Sequence, residues 1–154
     1  MKSKQAFTAP SPWSDRFNAP SVERLGAALP APAAGLFRSA RKMLHDAGLA
    51  VESVAWHGES WRWTVEFRSF ASAEVSAMLV PAPENLQLAV PVSRDFVQGL
   101  PMRRLKKAVR EGLELASEPF DTRLAIWCLT TPGQLADLHD LLQRRVRHAA
   151  KKTG

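Results

Sequence analysis

The apolar and polar residues follow a helical period in the first third of the chain and an alternating period after residue 50. Between residues 32 and 48 the apolar side chains recur at spacings of three and four, which predicts an amphipathic helix that stops at Gly48. A shorter helix is predicted over residues 22–29, with Ser21 as its N-cap. Residues 61–68 alternate strictly between apolar and polar side chains and predict a strand with one buried face.

Four further strands and two helices complete the predicted set of elements. The strands are expected over residues 51–57, 74–80, 86–92 and 123–129. Because Pro91 has no amide proton, the fourth strand is expected at an edge of the sheet, at least near the strand's end. Residues 123–129 are apolar on both faces and predict an interior strand that is covered on both sides. Pro101 introduces one helix, and Thr131 and Pro132 introduce the last one.

These elements predict an α+β domain with two N-terminal helices, a mainly antiparallel five-stranded sheet and two further helices packed on the sheet. At 154 residues the chain has the length of one ordinary domain. We assign residues 21–150 to this domain, residues 1–20 to an extended or disordered arm and residues 151–154 to a basic tail. The arm carries three aromatic residues through which it can dock on the body, namely Phe7, Trp13 and Phe17.

The chain has five tryptophans and no tyrosine, and three of the tryptophans belong to the predicted first hairpin. An even loop centred after Gly58 places Trp56 opposite Trp61 and Val54 opposite Trp63, so that three indoles share one face. Such a face either forms core under the helix of residues 33–47, makes a dimer contact, or binds a small ligand or protein partner. The favoured prediction is a non-catalytic binding domain whose ligand contacts are Trp56, Trp61, Trp63, Phe67 and Arg62.

The formal net charge of +6 is concentrated in two short segments. Residues 101–110 and residues 141–154 each carry five basic and no acidic side chains, whereas the remainder carries 11 basic and 15 acidic ones. One explanation is solvation of helix faces and a basic last turn that complements the helix dipole. The alternative is a nucleic-acid accessory protein, if the two helices lie side by side. Its predicted contacts are Arg103, Arg104, Lys107, Arg144 and Arg145.

Motifs for catalysis or metal binding are incomplete. The eight glycines form neither a dinucleotide fingerprint nor a phosphate-binding loop, and Arg62 stands where a nucleophile elbow would need its closing glycine. His57 and Glu59 match half of a zinc deaminase motif, but the paired cysteines of the other half are missing. A nucleophilic pair of Cys128 and His57 is the remaining enzyme hypothesis. We therefore expect no metal, no cofactor and a binding module rather than an enzyme.

The composition predicts a cytoplasmic protein that does not associate with membranes. One cysteine cannot form an intramolecular disulfide, and no apolar run approaches the roughly 20 residues of a membrane span. The N-terminal residues are basic but are followed by prolines and Asp15 rather than by an apolar signal segment. A monomer and a homodimer both fit the sequence.

The order of elements resembles that of the YdhG-like family of small bacterial domains of unknown function. The resemblance covers roughly residues 22–148 and depends on these segments: Trp56-His57-Gly58, Leu79-Val80-Pro81, Leu124 to Trp127, and Thr131-Pro132 with Leu135. Because some members are described as frataxin-like iron chaperones, the resemblance implies iron handling as a further alternative. Hard iron sites need clustered carboxylates, whereas the first long helix has four basic or imidazole side chains and one acid, Asp46.

Overall fold

The computed structural model describes residues 11–82, 85–116 and 122–153. Six α-helices and five strands form in these ranges. The helices are α1 (Val22–Ala27), α2 (Ala33–Asp46), α3 (Gly58–Trp61), α4 (Arg94–Gln98), α5 (Lys107–Glu114) and α6 (Gly133–Thr153). The strands are β1 (Val51–Trp56), β2 (Trp63–Arg68), β3 (Ala77–Val80), β4 (Gln87–Ser93) and β5 (Thr122–Cys128). The predicted α+β class with a five-stranded antiparallel sheet is therefore confirmed.

The five strands form one sheet in chain order, and every neighbouring pair is antiparallel. This order bears out one sequence prediction and corrects another, that of an interior fifth strand. β4 lies between β3 and β5, but β3 pairs only with Gln87–Ala89, so Pro91 lies beyond the end of β3 and β4 is an edge there, as predicted for its end. β5 is an edge strand, because it pairs with β4 alone among the described strands. Its apolar residues Leu124 and Ile126 alternate with core residues and face away from the main core.

One face of the sheet carries the main hydrophobic core. Trp63, Val65 and Phe67 of β2 lie on this face, and their partners Leu79 and Ala77 of β3 join them in a single buried cluster with apolar residues of the helices. α2 packs against both α1 and α6, while α5 lies on β5. α2 ends as predicted near Gly48, whose φ of 104° is a left-handed conformation that glycine adopts without strain. The helices thus bury their apolar sides in the same core as this face of the sheet.

Two short helices were not predicted, and one of them changes the first hairpin. Gly58–Trp61 forms the helical turn α3, so β1 and β2 pair with Trp56 opposite Trp63 and Val54 opposite Val65. The predicted pairing of Trp56 with Trp61 is wrong, because the helical turn lengthens the connection and moves the register by two residues. Since two residues is one full period of a strand, the predicted buried face is preserved.

The strand β3 is shorter than its two neighbours, and other groups complete the ladder beyond its ends. Trp63 donates its amide proton to the carbonyl oxygen of Trp13 at 3.0 Å, where β3 does not reach. At the other end, Arg145 of α6 donates from Nε to the carbonyl oxygen of Pro91 at 2.7 Å. These two contacts tie the segment before α1 and the last helix to the middle of the sheet.

Candidate functional site

Two of the predicted ligand-binding tryptophans are in contact on the core face. The rings of Trp56 and Trp63 meet edge to face with centroids 5.6 Å apart. Trp63 is 9% exposed, and its indole nitrogen donates to the carbonyl oxygen of Asp15 at 2.7 Å. Arg16 lies 6.0 Å from the ring of Trp56. Residues 13–16 therefore cover the indole pair, and a ligand at that place would have to displace them.

The other three predicted contacts lie apart from this pair. Phe67 is fully buried beneath α2, where its ring lies 6.3 Å from that of His45. Trp61 belongs to α3 and packs beside His57 instead of facing the core. Arg62 has a φ of 61° and ends the α3 turn. Four cavities of the described chain are lined by other residues. Ligand binding on the tryptophan face stays a prediction.

The first basic segment forms an exposed corner at the start of α5. Arg103 and Arg104 belong to a 3₁₀ turn over Met102–Arg104, Lys106 is the N-cap of α5, and Lys107 is its first residue. All four side chains are exposed. None of the four has an ion pair or side-chain hydrogen bond within the described ranges.

These cations lie at the unfavourable end of the helix. A helix N-terminus carries a partial positive charge and is stabilised by acidic side chains, yet α5 has none in its first turn. The sequence-based explanation, in which basic residues complement a helix C-terminus, therefore does not apply to Arg103, Arg104, Lys106 and Lys107. Only Arg110 of this segment has a structural role, since its Nη1 lies 3.4 Å from the carbonyl oxygens of both Met102 and Leu105.

The second basic segment lines a cleft between α4 and α6. The cleft has a volume of about 220 Å³ and is lined by Asp95, Phe96, Gly99, Leu100, Arg144, Arg147, His148 and Lys151. Three of these residues, Arg144, Arg147 and Lys151, follow one stripe of α6 with spacings of three and four. Arg144 pairs with Asp140 at 2.8 Å, whereas Arg147 and Lys151 have no ion pair among the described residues.

The corner and the cleft adjoin one another. Leu100 lines the cleft and precedes Arg103 by three residues, so the two Cα atoms lie within about 11 Å. α5 and α6 are not a principal packing pair, because α5 lies on β5 and α6 on α2, and the two basic segments are related through the short connection from Leu100 to Arg103. The predicted nucleic-acid surface required the two helices to lie side by side, and Lys106, Arg147 and Lys151 were not among its predicted contacts.

Arg145 is separated from these cations by its burial. It is 3% exposed, bonds to the Pro91 carbonyl oxygen and pairs with Glu74 at 3.1 Å. Its guanidinium is engaged inside the fold, so we withdraw it from the predicted nucleic-acid contacts. The sequence carried a signal for this, because Arg145 continues the buried stripe of Leu138, Leu141 and Leu142 at the spacing of a core residue.

A separate ion network joins α2 to β1. Arg41 donates two hydrogen bonds to the carboxylate of Glu52, at 2.5 and 2.7 Å, and a further one to Glu23 at 2.8 Å. His45 lies 2.8 Å from the same Glu52 carboxylate. Burial opposes ionisation of Glu52, but the hydrogen bonds from Arg41 and His45 outweigh it and lower its pKa below the usual 4.5. Because Arg41 and His45 of α2 both bond to Glu52 of β1, this network stabilises the contact between the helix and the strand.

The two residues considered as a nucleophilic pair, Cys128 and His57, lie far apart in the fold. His57 follows β1 and Cys128 ends β5, and these strands are the two opposite edges of the sheet. With about 4.8 Å between neighbouring strands, the edges lie roughly 19 Å apart, which excludes a nucleophilic pair. His57 instead lies 2.9 Å from Glu66, whose other oxygen pairs with Arg68. Within the described ranges no three His, Cys, Asp or Glu residues are grouped to hold a metal ion.

Comparison with known proteins adds no assignment. No family model matches the chain, and neither the curated proteins nor the solved structures contain a significant match. The resemblance to the YdhG-like family and the iron-handling role it implies therefore stay predictions. Among the described helices, none combines the length and apolar character that crossing a membrane requires.

Proposed function

We propose that this chain binds the phosphate backbone of nucleic acid through a single basic surface. The surface combines the corner at the start of α5 with the cleft between α4 and α6. Its members are Arg103, Arg104, Lys106, Lys107, Arg144, Arg147 and Lys151. The observation that carries the proposal is the group of four cations at the N-terminal end of α5 that have no partner among the described residues, at a place where a helix is stabilised by acids and not by bases.

Electrostatics supports a polyanionic partner over a single small anion. Four like charges within five residues repel one another and add to the positive end of the helix, so each gains from a nearby phosphate. Asp95 is the only acid that lines the adjoining cleft. A row of phosphates can neutralise the corner and the cleft together and release the counterions that surround nucleic acid.

The surface favours contact with the backbone over recognition of bases. Single-stranded nucleic acid is held largely by stacking of bases on aromatic side chains. Phe96 is the aromatic residue of the basic cleft, and it is 4% exposed. The two most exposed of the described phenylalanines, Phe17 and Phe70, belong to other segments of the chain. We therefore propose a duplex whose sequence has little effect on affinity, since phosphate contacts carry no sequence information.

The proposal is tested by fluorescence anisotropy with a labelled duplex of about 20 base pairs. The variant R103Q/R104Q/K107Q removes three of the proposed contacts. The matched control R24Q/R38Q/K42Q removes the same charge from exposed positions of α1 and α2. We expect the first variant to lose at least tenfold in affinity and the control to change less than threefold. Equal losses in both variants, or no binding by the wild type, would refute a localised surface.

A further inference from the structure

A groove runs along the first turns of α2 on a different part of the molecule. A cavity of about 660 Å³ is lined by Leu29, Ala31, Pro32, Ala34, Gly35, Leu36, Arg38, Ser39, Thr130 and Pro132. An adjoining cavity of about 250 Å³ shares Pro32, Leu36 and Thr130 with it and extends to Leu86 and Leu129. We call the two together the α2 groove. Its larger part lies within the range of about 300–1,000 Å³ that is typical of small-molecule sites.

The walls of the α2 groove are mainly apolar. Leucine, alanine and proline side chains line its length, and the polar groups are few: Arg38, Ser39, Asn85, Cys128 and Thr130. Thr130 is oriented by Gln134, whose Oε1 accepts from its amide at 2.7 Å. Apolar walls with a small number of polar groups suit a ligand that has an apolar body and one polar end.

Arg38 gives the groove its charge. Its guanidinium lies across the first turn of α2, with Nη2 3.9 Å from the position that a Cβ atom on Gly35 would occupy. Arg38 has no ion pair among the described residues, and none of the described residues that line the two cavities of the groove is acidic. Glu23, which borders a smaller cavity on the other side of Arg38, is bonded to Arg41 at 2.8 Å. The cation is therefore available to an anion in the groove.

We infer that the α2 groove binds a small amphipathic carboxylate, such as a medium-length fatty acid. The Arg38 guanidinium holds the carboxylate by charge-assisted hydrogen bonds, and the leucine, alanine and proline walls bury the hydrocarbon chain. Negative charge on the ligand complements Arg38, the one cation among the described residues that line the groove, and a neutral ligand of the same length lacks that contact. This site is distinct from the basic surface and does not depend on nucleic-acid binding.

The test compares octanoate with 1-octanol on the full-length chain by amide chemical-shift titration. We expect octanoate to perturb the signals of Ala34, Gly35 and Thr130 and to bind at least fivefold more tightly than octanol. R38Q should abolish that preference, A34F should weaken both ligands by filling the groove, and the control R24Q should change neither.

Three results would overturn the site. These are the absence of octanoate binding, an octanoate affinity that R38Q leaves unchanged, and perturbed signals that lie at Arg103–Lys107 instead of at α2. The variant R103Q/R104Q/K107Q separates this inference from the proposed function, because it should retain octanoate binding whether or not duplex binding occurs.

Discussion

Arg145 of α6 and Pro91 of β4 are joined by a hydrogen bond of 2.7 Å from the guanidinium Nε to the carbonyl oxygen. The bond replaces a ladder partner that the short strand β3 does not supply, and Glu74 pairs with the same guanidinium. Arg145 is thus a structural arginine within a basic segment of α6. Arg145 stabilises the fold, whereas its neighbour Arg144 lines the cleft between α4 and α6.

Arg145→Ala should lower the free energy of unfolding by about 2–3 kcal/mol, because it leaves the Pro91 carbonyl oxygen without a partner and removes the charge opposite Glu74. The measurement is urea unfolding monitored by tryptophan fluorescence. Arg144→Ala is the matched control; its pair with Asp140 is solvent-exposed, and the expected loss is below about 0.5 kcal/mol. Similar losses in the two variants would contradict the structural role of Arg145.

The network around Glu52 predicts a specific acid dependence of stability. Because its pKa is lowered in the folded state, Glu52 contributes stability above its unfolded pKa, and that contribution is lost as pH falls through the lower folded pKa. Glu52→Gln should cost about 2 kcal/mol at neutral pH and progressively less in acid below about pH 4. Urea unfolding of both proteins across this range checks the sign. A difference that stays constant or grows in acid would contradict the network.

Gly112 is predicted to position α5, because a Cβ atom there would overlap the indole ring of Trp127, which donates to the carbonyl oxygen of Ala108 at 3.1 Å. Gly112→Ala should destabilise the protein by at least about 2 kcal/mol and shift the Trp127 fluorescence. Gly35→Ala is the control. It meets nothing closer than 3.9 Å and should stabilise the helix by about 0.5–1 kcal/mol. Thermal unfolding of both variants gives the comparison, and a neutral Gly112→Ala would mean that α5 does not pack this closely on β5.

Lys107 provides a test in which stability and binding move in opposite directions. An acid in the first turn of α5 interacts favourably with the positive end of the helix dipole, whereas a cation there is repelled by it. Lys107→Glu should therefore raise the free energy of unfolding by about 0.3–1 kcal/mol. The same change should weaken duplex binding more than Lys42→Glu on α2 does. A loss of stability in Lys107→Glu would show that this lysine is retained for the fold.

The sequence predicted the parts of the fold that depend on local periodicity. The alternation of residues 61–68 gave the buried face of β2, and the stripe of residues 32–48 gave α2. It did not predict α3, since four residues are too few to show a helical period, and the hairpin register was consequently wrong. The prediction of an interior β5 failed because pairing partners are set by the whole sheet and not by the strand's own composition, whereas Pro91 lies on the end of β4 that β3 leaves unpaired.

The candidate site was only partly accessible from the sequence. The two basic segments were visible as a charge pattern, but their meeting point depends on α4, which was not predicted. A shift of one residue along a helix decides whether an arginine is buried: Arg145 is buried, whereas the adjacent Arg144 is partly exposed. The α2 groove has no sequence signature, because it forms where the β5–α6 connection passes the first turns of α2.

The central claim is that seven cations act together on phosphates, and the salt dependence of duplex affinity tests it most directly. The logarithm of the association constant should fall linearly with the logarithm of salt concentration, and each lost phosphate contact should reduce that slope by about 0.9. R103Q/R104Q/K107Q should therefore have a slope shallower by about 2.7, while R24Q/R38Q/K42Q keeps that of the wild type. A slope that is equal in all three proteins, or affinity that does not respond to salt, would contradict the account.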